Sequence, residues 1–237
     1  MTPARTLIVN ADDFGRSLAI NAGVIRAHET CGIVTSASLM VRWASADMAA
    51  KYARSNGSLG VGLHVDLAEW TRRGAQWRCV YEVAPLEEAT AVEREARRQL
   101  ETFRELTGRN PTHLDSHQHV HRHEPVSSVL NMLGAELGVP VRHASASVRY
   151  CGAFYGQDPN GIAAHERLTP QALVGIIRGL PAGLTELACH PAAYIDFDSH
   201  YAHERVLELR TLCDGRIRAA VDKGMIVLSS FAAARGA

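Results

Sequence analysis

The chain has 237 residues, 46% hydrophobic and 21% charged, enough to bury a full core and within the range of one α/β barrel or one doubly wound sheet. Its 25 basic and 25 acidic side chains cancel, leaving no positive field to hold a phosphate backbone, so nucleic acid is not an expected partner. No stretch reaches the apolar length needed to span a bilayer, and Leu7 to Val9 is too short for a signal-peptide core, so a cytoplasmic protein is expected.

In chain order, short β-rich apolar runs alternate with stretches of helical periodicity. A strand at Thr6 to Asn10 leads to a helix at Leu18 to Cys31, one at Val34 to Leu39 to a helix at Ala44 to Ser55, and one at Leu59 to His64 to a helix at Leu86 to Thr107. A strand at Thr112 to His117 precedes a helix at Pro125 to Leu137. Strands follow at Val139 to His143, Leu184 to Cys189 and Met225 to Ser229, with helices at Pro170 to Gly179 and Tyr201 to Ala220. This alternation predicts parallel strands joined by crossover helices in one domain, residues 1–237. The Gly74 to Ala84 and Ser145 to Arg167 segments read as loops long enough to build a pocket.

Helix punctuation agrees with these assignments. Thr169-Pro170 supplies an N-cap and a first-turn proline, while Gly108 and Gly138 stand where C-terminal caps belong. On the helix before Gly108, Glu93, Glu95 and Glu101 interleave with Arg94, Arg97, Arg98 and Arg104 around a thin apolar stripe, which marks scaffold. The five cysteines include no CxxC pair and read as reduced, small apolar side chains.

Several strands end alike, in carboxylates or histidines. The first ends Asn10-Ala11-Asp12-Asp13, the third Gly62-Leu63-His64, and the sixth Cys189-His190; the fourth carries His113, Asp115 and His117 at alternate positions, which share one face. In a β/α barrel the C-terminal strand ends converge on one face, where reacting groups gather. Adjacent carboxylates such as Asp12 and Asp13 near a core need a cation, a shared proton or solvent. One carboxylate from the first strand with a histidine each from the third and fourth gives two imidazoles, one carboxylate and open positions, a pattern of catalytic metal sites.

The blocks Leu7 to Gly15, Gly32 to Ser36, Gly62 to His64, Pro111 to His121, Ala153 to Gly156 and Cys189 to Ala192 resemble the YdjC-like carbohydrate deacetylases, whose best-known members deacetylate chitooligosaccharides. The resemblance implies a distorted (β/α) barrel of about seven parallel strands, polysaccharide-deacetylase-like, that binds one divalent ion and hydrolyses the N-acetyl group of an amino sugar. Magnesium or zinc is expected, with manganese, cobalt or nickel as alternatives, and a homodimer is compatible with the family. Residue by residue, it implies Asp13, His64 and His117 as ligands, Asp12 as base and His190 as acid.

Phe154, Tyr155 and Tyr194 are candidate stacking partners for a sugar ring. Asp66, Arg142 and His143 are further candidates for the pocket wall. A phosphoesterase or other amidohydrolase on a similar barrel would use such strand ends too, commonly with two metals and more ligands. A sugar-binding homologue without chemistry is the reading from another class, and the joint presence of Asp12, His64, His117 and His190 stands against it.

Overall fold

In the computed structural model, which describes residues 4–74 and 76–234, the chain runs β1 (Arg5–Phe14), α1 (Leu18–Glu29), β2 (Ser36–Leu39), α2 (Ala46–Ser55), β3 (Gly60–Val65), β4 (Ala68–Arg73), β5 (Gln76–Glu82) and α3 (Ala89–Thr107). It continues with β6 (Leu114–Ser116), α4 (Val126–Leu137), β7 (Val148–Cys151), α5 (Pro170–Arg178), β8 (Gly183–Cys189), α6 (Ala202–Leu212), α7 (Gly215–Lys223), β9 (Ile226–Leu228) and a last turn, α8 (Phe231–Ala234). Short 3-10 segments lie at His117–Arg122 and His165–Leu168.

β1 is buried from Leu7 onward, as a parallel strand covered on both faces must be. One edge pairs with β8 from Arg5 to Ala11. The other is shared, with β9 against Arg5 to Leu7 and β2 against Asn10 to Phe14. The seven-stranded sheet runs β6-β3-β2-β1-β8-β7, with β9 at the side of β1, and all its pairings are parallel. This is the distorted (β/α) barrel expected from the sequence. Leu7, Val9, Phe14, Val61 and Leu63 from the strands meet Val24, Phe103 and Leu130 from the helices in one core.

The sheet differs from the sequence reading in its membership. Val139 to His143 is not a strand: it keeps one bridge, Leu114 to Val141, flanked by Leu114 N–H to Pro140 O and Arg142 N–H to Leu114 O. Pro140 has no N–H to extend the ladder, and His143, at φ 67°, turns the chain away. β7 takes the seventh place instead, inside the segment read as a loop. The other predicted loop folds as β5, antiparallel to β4, with Ala75 outside the described residues. The single helix expected over Tyr201 to Ala220 breaks into α6 and α7, because the Asp214 side chain accepts from Arg216 N–H and caps a new helix.

The expected caps are present. Gly108 and Gly138 adopt left-handed conformations at the ends of α3 and α4, and Thr169 accepts from Ala172 N–H at the start of α5. The cysteine expectation is corrected. Cys31 and Cys213 form a disulfide, with Cα atoms 4.9 Å apart, that ties the end of α1 to the end of α6; Cys79 is exposed. No helix among the described residues is long and apolar enough to cross a membrane.

Candidate active site

Side chains of Asp12 and Asp13 would point to opposite faces of a regular strand. The β1 to β2 register shifts between Ala11 and Phe14, and Asp13 adopts φ 63°, so both carboxylates reach one cavity. Gly15 completes the turn at φ 93°. A Cβ there would stand 2.8 Å from the Met40 carbonyl oxygen, so no other residue fits without displacement.

Each carboxylate has its own cation. Arg142, on the segment after Pro140, donates Nη1 to Asp12 Oδ2 at 2.7 Å and Nη2 to Asp12 Oδ1 at 2.7 Å. The same guanidinium contacts Asp115 Oδ2 at 2.8 Å and Glu186 Oε1 at 2.6 Å. Burial raises the Asp12 pKa, but the Arg142 charge and hydrogen bonds outweigh it and hold the carboxyl below its ordinary value. Asp13 is held further down. Burial again opposes, and Arg205, 2.5 Å from Asp13 Oδ2, together with His117 overcomes it.

His64, at the end of β3, and His117, just past β6, converge on Asp13 Oδ1 at 3.3 and 2.9 Å. The Nδ1 of His64 donates to Asp115 Oδ1 at 2.7 Å, which fixes the ring and leaves Nε2 toward Asp13. Ser38 in turn donates to Asp115 Oδ2 at 2.7 Å, and Asn10 donates to both Ser38 and Asp12. A histidine whose outer nitrogen is held by a carboxylate is the usual support of a metal ligand. One donor atom each from Asp13, His64 and His117 lies within 4.8 Å of the other two, and all three residues are buried. A carboxylate with two imidazoles suits a divalent ion of the zinc to magnesium range, so the residues present fit such a group. Asp12, His64 and Asp115 also cluster, but Arg142 occupies both carboxylates there.

His190, after β8, reaches the same cavity beside Asp12. Its Nε2 is 3.7 Å from Asp12 Oδ2 and its Nδ1 is 3.7 Å from Glu208 Oε1. Burial lowers the imidazole pKa, but Glu208 and then Asp12 and Asp13 raise it above its ordinary value. The ring is 17% exposed, more open than Asp12 or Asp13, and faces a cavity of about 750 Å3. Asp12, Asp13, His64, His117 and His190 all line that cavity.

A family model described as YdjC-like protein matches residues 6–223. The chain belongs to the YdjC-like family. It is 35% identical to a chitooligosaccharide deacetylase of Klebsiella pneumoniae (strain 342), with 93% of this chain and 96% of the relative covered. Its fold matches that of an Enterococcus faecalis V583 protein provisionally described as a cellobiose-phosphate cleavage protein, with a TM-score of 0.77 at 23% identity over 97% of this chain and 98% of that one. A family 4 carbohydrate esterase from Streptomyces lividans, in complex with acetate, matches with a TM-score of 0.57 at 14% identity over 97% and 93%.

In this YdjC-like chain the remaining sequence candidates divide. Phe154 and Tyr155 line the cavity, the latter stacked on Tyr201 with ring centroids 4.4 Å apart. Tyr194 does not; it is an exposed side chain outside the lining. Asp66 is fully buried and satisfied by Arg42, Trp43 and Tyr81, so it holds the β3 to β4 connection rather than a ligand. Arg142 is sealed behind Asp12, and His143 faces away from the main cavity with His121. His113 does not join His117 in the cavity: it stacks on Phe231 at 3.9 Å above Gly62, and its Nε2 meets Ser38, while Asp115 is buried behind His64.

Sequence reasoning missed Arg16, Glu69, Arg205 and Glu208. Arg16 follows Asp13 by three residues, places Nη1 3.2 Å from His117 Nε2 and forks onto Glu69 at 2.8 and 2.9 Å. Arg205 and Glu208, one turn apart on α6, face inward with Glu204. The available signal was a helix with no continuous apolar face.

Proposed function

We propose that the chain hydrolyses the N-acetyl amide of an amino-sugar carbohydrate, releasing acetate, with one divalent ion, zinc or magnesium, held by Asp13, His64 and His117. The observation that carries this reading is that Asp12 and His190, 3.7 Å apart, line one cavity with that ligand set. The deacetylase name of the Klebsiella pneumoniae relative supports the choice of bond. When bound, such an ion supplies Lewis-acid polarisation of the acetyl carbonyl and of the attacking water.

Asp12 accepts the proton of that water at Oδ2. Its Oδ1 already accepts from both Arg142 and Asn10, whereas Oδ2 accepts from Arg142 alone and faces His190. His190 donates its Nε2 proton to the departing amine nitrogen, and Glu208 behind Nδ1 favours the protonated ring that this step requires. Base and acid thus start in opposite protonation states at one pH. Trp70, Trp77 and Tyr155 give the cavity aromatic faces suited to the C–H patches of a sugar ring.

Product analysis over a panel of N-acetylated sugar oligomers and sugar phosphates separates this reaction from phosphoester cleavage. Acetate release with an exposed amine is the expected result. Phosphate release without acetate would reassign the scissile bond.

Ion binding should displace a proton from His64. Burial lowers this imidazole, but the Asp115 charge and the hydrogen bonds to Asp115 and Asp13 push it up to about 10 in the metal-free protein. Below that pH the ion competes with the proton, so apparent affinity should rise by about tenfold per pH unit through the neutral range. Calorimetric titration in two buffers of different ionisation enthalpy should report about one proton released per ion. Absence of release at neutral pH would remove His64 from the ligand set.

A further inference from the structure

Three histidines outside the Asp13, His64 and His117 set gather beside it, His119 on the wall of the main cavity and His121 and His143 on a second one. His119 and His121 come from the turn that follows His117, and His143 from the segment after Arg142. One ring nitrogen from each lies within 4.8 Å of the other two. Ring centroids stand 5.9 Å apart for His119 and His121, 5.2 Å for His119 and His143, and 5.6 Å for His121 and His143.

The partners of these rings leave the cluster's centre bare. His121 is 4% exposed; its Nδ1 meets Ser116 Oγ at 2.6 Å, while its Nε2 is buried with no hydrogen-bond partner. His119 Nε2 meets the Tyr150 hydroxyl at 3.1 Å, while its Nδ1 is likewise buried and unpartnered. Buried polar atoms normally find partners, and two orphaned imidazole nitrogens in one cluster need an explanation. His119 and His121 each have one ring nitrogen committed and the other free, as metal-bound histidines do. His143 is exposed and lines a second cavity with His121, which gives an ion a route from solvent.

We propose that His119, His121 and His143 form a second metal site, for one ion of the imidazole-preferring class, zinc above all, distinct from the Asp13, His64 and His117 set. Three neutral imidazoles without a carboxylate favour zinc, copper, nickel or cobalt over magnesium. The neighbouring Arg142 charge does not forbid a cation, because Asp12, Asp115 and Glu186 all contact that guanidinium. An ion here would clamp the turn that presents His117 to the segment that presents Arg142. Gln118 at φ 50°, His119 at φ 55° and His143 at φ 67° hold left-handed conformations at that clamp.

Native mass spectrometry of the metal-free full chain titrated with zinc alone tests the proposal. Two zinc ions per chain are expected for the unaltered protein, one for His117→Ala, one for His143→Ala and none for the double variant. His143 is exposed, so His143→Ala should keep the fold, checked by thermal unfolding. Ser116→Ala, which frees His121 Nδ1, should weaken the second zinc by about 10- to 100-fold. If Asp13, His64 and His117 bind no metal, the unaltered chain takes up one zinc, retained in His117→Ala and lost in His143→Ala, and the second site still stands. Equal zinc uptake by His143→Ala and the unaltered chain would overturn it.

Discussion

Asp12→Asn should lower turnover by about two to four orders of magnitude, with fold and metal binding intact. The change keeps the shape of the side chain and an oxygen for Arg142 to grip, but removes the negative charge and the oxygen lone pair that takes up the water proton. Asn also turns an NH2 toward a guanidinium N–H, a donor against a donor, so a small loss of stability should accompany the loss of rate. Steady-state kinetics of the metal-loaded variant, beside its metal content and unfolding midpoint, check this. Near-normal turnover would remove Asp12 from the proton transfer.

Arg142→Met should destabilise the protein by about 3–5 kcal/mol, because it strands three buried carboxylates, Asp12, Asp115 and Glu186, around an apolar side chain. The pH dependence should change sign as well. In the unaltered protein the Asp12 and Asp115 carboxyls sit below their usual 3.8, so their contribution is full above that pH and is lost as pH falls through the lower folded values. Without Arg142 the folded carboxyls lie above their unfolded values, and acidification from neutral pH should restore part of the lost stability. Glu186 already tends that way, since burial pushes it up to about 7 despite Arg142. Urea unfolding at pH 5 and pH 8 measures both effects; an unchanged midpoint would show the carboxylates to be satisfied by other means.

The fold was legible where strands are short apolar runs between helices with clear caps. The strand ends were legible for a related reason: carboxylates and histidines that interrupt such runs have no role in a core, so Asp12, Asp13, His64, His117 and His190 stood out, and the structure gathers all five at one cavity. Arg205 and Glu208 did not stand out, because charged residues one turn apart on a helix ordinarily mark a solvated face, and here burial is made tolerable by Asp13 and the Tyr201 hydroxyl. Arg142 was read as a pocket residue because sequence shows a charge at the end of an expected strand, Val139 to His143, without showing the carboxylates that enclose it. The Cys31 to Cys213 pairing spans 182 residues and follows only from the packing of α1 beside α6.

The most direct test of the account is acetate release from N-acetylated sugar oligomers by chelator-treated protein before and after one divalent ion is restored, with His117→Ala alongside. No release is expected from the metal-free protein, recovery on adding zinc or magnesium, and little or none in His117→Ala under the same conditions. Undiminished release from the metal-free protein or from His117→Ala would contradict the account.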